Sequence, residues 1–161
     1  MGLSRNAPVI RSAWRDVSGV QEDLLLPTPK VVSAVCDLTS PAEVVLPLRA
    51  DGVAQAREFL RSAICFSHHS AAVADAELLV SELVANGMRH AAPPIILRVE
   101  CEGEDALRVL VRDGSPVVPN VNHAKPEDES GRGMFLVDYI SDEWGAEPIV
   151  DGKVTWFRLN N

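Results

Sequence analysis

The hydrophobic period of this chain changes once, at Pro93-Pro94. Upstream, apolar residues recur at spacings of three and four. One set is Val53, Ala56, Phe59, Leu60, Ala63 and Ile64, and a second is Val73, Ala76, Leu79, Val80, Leu83 and Val84. Each set makes one buried face of an α-helix. Downstream, Ile95–Cys101 and Ala106–Arg112 alternate as strands do. Proline cannot continue a helix, and it pushes the residue before it towards extended backbone, so the double proline ends the helical part.

The remaining elements follow by the same logic. Val44, Val45, Leu46 and Leu48 read as a short strand, and Ala50-Asp51 offers an N-cap to the first helix. Ser67-His68-His69-Ser70 breaks between the two helices and reads as an exposed turn and not a metal site, with no third ligand expected nearby. Glu102-Gly103-Glu104-Asp105 is a turn, so the strands on either side of it form a hairpin. A loop rich in Pro, Asn and Gly runs from Asp113 to Ser130. A loop this long inside a compact domain is uncommon and usually functional. Gly131 to Ser141 resumes as a helix with Met134, Val137 and Ile140 on one side. Trp144–Val150 and Lys153–Leu159 are strands joined by Asp151-Gly152, a dipeptide suited to a type I′ turn. The expected fold is α+β: a two-layer sandwich whose mixed, mostly antiparallel sheet is covered on one face by helices. It should occupy residues 43–161. Residues 1–42 carry prolines at 8, 27, 29 and 41 and no lasting periodicity, and are expected to be an irregular or mobile tail.

Charge and composition narrow the function. The net charge is −8, all of it within residues 51–161, because residues 1–50 carry five charges of each sign. No basic stripe is present to neutralise a row of phosphates, which argues against direct nucleic-acid binding. No apolar run approaches the ~20 residues of a membrane-spanning helix. The three cysteines, Cys36, Cys65 and Cys101, are too few and too scattered for a disulfide framework. Cys65 and Cys101 read as small core residues, and a reducing cytoplasmic setting is expected.

Three polar features stand out. Glu82, Asn86 and His90 stand four apart on the second helix and so share one face. Taken alone, they read first as the solvated side of an amphipathic helix. Asn86 and Gly87 are both poor helix formers, however, and their adjacency suggests that something approaches that face closely. Asp113-Gly114-Ser115-Pro116 ends a strand with a carboxylate, either as a turn signal or as an acceptor at a pocket floor. Ser130-Gly131-Arg132-Gly133-Met134 opens a helix after the long loop, and glycines there leave helix N–H groups accessible to phosphate oxygens.

In this order and spacing, the three features resemble the nucleotide-binding boxes of the gyrase, histidine-kinase and mismatch-repair ATPase superfamily, the Bergerat fold. The segment Glu82 to His90 is similar to its N box, Asp113-Gly114-Ser115 to its first glycine box, and Gly131-Arg132-Gly133 to its second. The loop between the two glycine boxes would be the ATP lid. Within the superfamily, Ser81–Ala91, Ser130–Trp144 and Lys153-Val154-Thr155-Trp156-Phe157 most resemble the bacterial anti-sigma-factor serine/threonine kinases and their stand-alone ATP-binding relatives.

The resemblance implies roles. Asp113 would accept the adenine amine, with Ser115 beside it. Asn86 would ligate Mg²⁺, which commonly takes one or two protein ligands and keeps its waters. Gly131, Arg132, Gly133 and Met134 would meet the phosphates at the helix start, with Arg89 and His90 as supporting groups and Lys125 as a cationic helper. Glu82 would be the general base that takes the proton of an incoming Ser/Thr hydroxyl. The implied partners are a sigma factor, an anti-sigma-factor antagonist protein, or both, and a homodimer is common in such proteins. Two departures from the family pattern matter. Ser115 and Val117 stand where its first glycine box carries glycine, and Pro116 removes an N–H. The alternative reading is therefore a protein-binding module of the same fold with weak or absent nucleotide binding.

Overall fold

A computed structural model describes residues 41–90, 93–103, 105–119 and 132–160. The expectation for the tail therefore lies outside the described residues, as do Lys125, Gly131 and most of the proposed lid. Strand β1 (Ala42–Leu46) leads into α1 (Gly52–Ala63), a single-turn α2 (Phe66–His69), a 3₁₀ turn (Ser70–Ala72) and α3 (Val73–His90). Then follow β2 (Ile95–Cys101), β3 (Ala106–Asp113), α4 (Arg132–Ile140), β4 (Glu143–Ile149) and β5 (Gly152–Asn160).

The five strands form one sheet in the order β1-β2-β3-β5-β4, and every neighbouring pair is antiparallel. The expectation of a mixed sheet is corrected here. Helix α4 carries the chain over from β3 to β4, and these two strands do run the same way, but β5 inserts between them and pairs with both. The parallel contact is thereby replaced by two antiparallel ones.

The helices pack on one face of the sheet. Ala56 and Leu60 from α1, Ala76, Leu79, Val80, Leu83 and Val84 from α3, and Val137 from α4 are buried there. They meet Leu97 and Val99 of β2, Leu107, Val109 and Val111 of β3, and Phe157 and Leu159 of β5. The period-2 pattern puts the odd-numbered positions of β3 and β5 on this side. The even-numbered Leu110, Val154 and Trp156 make a smaller cluster on the other side. A core leucine such as Leu79 contributes on the order of 2–5 kcal/mol, judged by truncation to alanine. Arg61 clamps α1 to α3 through a two-pronged contact with Glu77, with Nη2 donating to Oε2 at 2.9 Å.

Two local expectations change. Asp51 sits at the N-cap of α1 but makes no side-chain cap; its carboxylate instead accepts from Gln55 Nε2 at 2.8 Å and from Arg49. The β4–β5 turn is not type I′, because that turn needs positive φ at both central residues. Ile149 pairs with Gly152, leaving Val150 and Asp151 at the tip, and no non-glycine residue has positive φ among the described residues. Gly152 has it, at +137°. A β-carbon there would overlap the backbone of Asp113 and Gly114, so Gly152 serves a close approach between chain segments.

Candidate functional site

Helix α3 sets the first wall of the site. Glu82 and Asn86 are one turn apart and both half-buried, on the side of α3 next to its core stripe. Four residues of helix separate them by about 6 Å along the axis. The start of α4 lies against this face: a β-carbon at Gly133 would stand 2.5 Å from Glu82 Oε2 and 3.5 Å from Glu82 Cβ. Gly133 is thus the residue that lets the first turn of α4 reach the carboxylate. One turn on, Gly87 faces the end of β3, where a β-carbon would lie 3.5 Å from Asp113 Oδ2. The fold therefore gathers Glu82, Asn86, Asp113 and the α4 N-terminus, which are spread over about fifty residues of sequence.

Asp113 is the last residue of β3, on the helix-covered face, and is 2% exposed. Its Oδ1 accepts two hydrogen bonds, from the backbone N–H of Ser115 and from Lys153 Nζ, both at 2.8 Å. Asp113 and Lys153 are direct cross-strand partners, and Lys153 is 1% exposed. A buried charge needs a partner and hydrogen bonds, and this pair supplies both. With Oδ1 occupied, Oδ2 is the oxygen turned towards Gly87.

The other expected site residues among those described are Ser115, Met134, Arg89, His90 and Arg132. Ser115 is buried, and its Oγ accepts the N–H of Val117 at 3.3 Å, so its hydroxyl closes its own turn. Met134 is buried and packs into the core. Arg89 and His90 are exposed at the C-terminal end of α3. Arg132 begins α4.

A family profile described as the histidine kinase-like ATPase domain matches residues 46–159. The chain belongs to the histidine-kinase-like ATPase family. Among solved structures, a similar one is the crystal structure of the RsbU and RsbW domains of Rv1364c from Mycobacterium tuberculosis. It aligns with a TM-score of 0.57 and 16% identity, over 75% of this chain and 32% of that one. At that identity the likeness speaks for the fold. A search of curated protein sequences finds no match.

As a histidine-kinase-like ATPase domain, the chain has a fold that implies ATP binding, typically with Mg²⁺. The residues present fit such ligands. The cradle under Gly87 is one that a side chain would fill, the carboxylate beneath it is held rigid, and a half-buried amide and carboxylate lie on the adjoining turn. Lys153 is the residue that sequence reasoning misses. Its signal is present: a lysine in phase with the inward Phe157 and Leu159 of its strand requires a buried counter-charge. Only the β3–β5 register identifies that partner as Asp113.

Among the described residues, no helix is long and apolar enough to cross a membrane.

Proposed function

We propose that this chain binds ATP with Mg²⁺ and transfers the γ-phosphate to a serine or threonine of an antagonist protein, in the manner of anti-sigma-factor kinases. The observation that carries the reading is the abutment of Glu82 on Gly133. It sets a carboxylate against the helix start where phosphates are expected to lie. In this reading, Asp113 Oδ2 accepts the adenine amine, while Lys153 holds the carboxylate in place through Oδ1. Asn86 holds the metal through its amide oxygen. The backbone N–H groups at the start of α4 meet the phosphates, favoured by the helix dipole. Glu82 takes the proton of the acceptor hydroxyl as its oxygen attacks phosphorus and the bridging oxygen leaves with ADP. The metal ion neutralises charge on the phosphates, which this acidic chain does not do with a basic patch.

In the similar mycobacterial structure, an RsbW domain shares its chain with an RsbU domain. This supports placing the present chain in a regulatory system in which a kinase, a sigma factor and an antagonist exchange partners. We extend the reading to sigma-factor sequestration and to a cytoplasmic setting, with homodimerisation as a further expectation.

A second reading is favoured by one feature. Oδ1 of Asp113 is already committed to Lys153 and Ser115, and Pro116 supplies no N–H. A site with one carboxylate oxygen committed and one N–H missing suits a protein-binding module that takes nucleotide weakly or not at all.

Calorimetry of ATP and ADP, with and without Mg²⁺, on the wild type and Asn86→Ala, decides between them. Saturable binding strengthened by Mg²⁺, with the Mg²⁺ effect lost in Asn86→Ala, supports the kinase reading. No heat of binding to a folded protein overturns it in favour of the module.

A further inference from the structure

The turn between α1 and α3 gathers a second group of chemically active side chains, remote from the nucleotide boxes. Cys65 is the N-cap of α2, and His68 follows three residues later on the same turn. That turn is fixed by backbone hydrogen bonds from the N–H groups of His68 and His69 to the Cys65 carbonyl, at 3.1 and 2.9 Å. Cys101, the last residue of β2, comes from thirty-six residues further along the chain. Its Sγ lies 3.6 Å from His68 Nδ1 and 3.0 Å from His69 Nε2. The ligand atoms of Cys65, His68 and Cys101 all fall within 4.8 Å of one another. The expectation of an exposed histidine turn without a third ligand is therefore corrected: His69 is fully buried, and the fold supplies both thiols.

We propose that Cys65 Sγ, His68 Nδ1 and Cys101 Sγ bind a thiophilic divalent cation, Zn²⁺ above all, with His69 holding Cys101 from the buried side. The donor set selects the metal. Thiolate and imidazole suit Zn²⁺, whereas Mg²⁺ and Ca²⁺ take oxygen ligands. Zinc–sulfur and zinc–nitrogen bonds of about 2.3 and 2.0 Å place tetrahedral ligands about 3.5 Å apart. The Cys101–His68 separation already matches this. The Cys65-x-x-His68 spacing gives a chelate from one turn, and Cys101 closes it from the sheet. Two thiolates and a neutral imidazole around a 2+ ion sum to zero charge, which suits three half-buried side chains. On binding, each thiol gives up its proton to solvent and no electron is transferred. His69 is placed as an outer-shell group, since such residues orient ligating side chains. The ion would tie the α1–α3 connection to the end of β2. Helix α3 begins at Val73 and reaches Glu82 only nine residues later, about 13 Å along its axis. The site is thus separate from the nucleotide reading and stands or falls without it.

Cobalt titration of the reduced, metal-stripped full chain tests this. One equivalent of Co²⁺ should give the d–d bands of a tetrahedral ion with a thiolate charge-transfer band, and Zn²⁺ should displace it. Cys65→Ser and Cys101→Ser should each lose the charge-transfer intensity of one thiolate and weaken binding by more than the roughly 10–100-fold of an outer-shell change. His69→Gln should fall within that range of about 10–100-fold, and Cys36→Ser should bind as the wild type. If a cysteine variant fails to fold, alkylation of the wild type replaces it. Zn²⁺ should then protect Cys65 and Cys101 from reagent. No charge-transfer band, an unchanged band in both cysteine variants, equal alkylation with and without Zn²⁺, or a Cys65–Cys101 disulfide without metal uptake by the reduced chain would each overturn the assignment.

Discussion

Lys153 Nζ donates to Asp113 Oδ1 at 2.8 Å, and both side chains are almost wholly enclosed by the protein. Removing one member of such a pair leaves an uncompensated charge, worth about 3–5 kcal/mol of stability. Lys153→Met should therefore lower the urea midpoint sharply. Asp113→Asn with Lys153→Met should recover part of that loss. A double-mutant cycle checks this: additive losses would mean that the pair carries no coupling.

Gly133→Ala separates stability from chemistry. Alanine adds about 1 kcal/mol of helix propensity to α4. Its β-carbon, however, needs the space of Glu82 Oε2, the mobile end of a side chain. The variant should melt at or above the wild-type temperature and transfer phosphate more slowly. Thermal melts and a phosphotransfer assay on the same preparation read both effects. Unchanged transfer would show that the Glu82 position does not matter.

Glu82→Gln keeps the shape of the side chain and removes the base. Phosphotransfer to the antagonist should fall about 10²–10⁴-fold, and ATP affinity measured by calorimetry should hold. A variant that transfers phosphate at the wild-type rate would remove Glu82 from its role.

The Arg61–Glu77 clamp should make stability depend on pH at the acid end. The hydrogen bond from Arg61, ahead of its charge, holds the Glu77 carboxyl below its ordinary value and outweighs partial burial. A carboxyl depressed in the folded state stabilises fully above its unfolded pKa, about 4.3. That contribution is lost as pH falls through the folded value. Wild type should exceed Glu77→Gln in stability near neutral pH, by a modest amount because Arg61 is half exposed. The difference should shrink below about pH 4. Denaturant titrations at several pH values give the answer, and a difference independent of pH would contradict the assignment.

Local periodicity makes most of the fold legible. The faces of α1 and α3, the β2–β3 hairpin and the final hairpin follow from spacing and turn residues within each segment. Features that depend on distant pairing are not legible in this way. Asp151-Gly152 reads as a type I′ turn, because the sequence does not show that Gly152 presses on Asp113. Ser115 reads as a departure from the family's glycine, and the sequence does not show that its hydroxyl accepts the Val117 N–H. Glu82, Asn86 and Asp113 are legible as types and spacings. Lys153 beside Asp113 requires the β3–β5 register. Cys101 beside His68 likewise requires the end of β2 to meet the α1–α3 turn, since Cys101 alone reads as a small core residue.

The placement of β5 between β3 and β4 bears on the order of assembly. During synthesis, β4 emerges before the strand it pairs with, and β3 has one free edge until that strand arrives. Such non-local pairing slows folding, because a long loop must close before any contact rewards it. Asp113 meets Lys153 only at this last step, across forty residues. The carboxylate proposed to recognise adenine is thus locked in place when the sheet is completed, so nucleotide should act late, as a trap for the finished domain and not as a template for it.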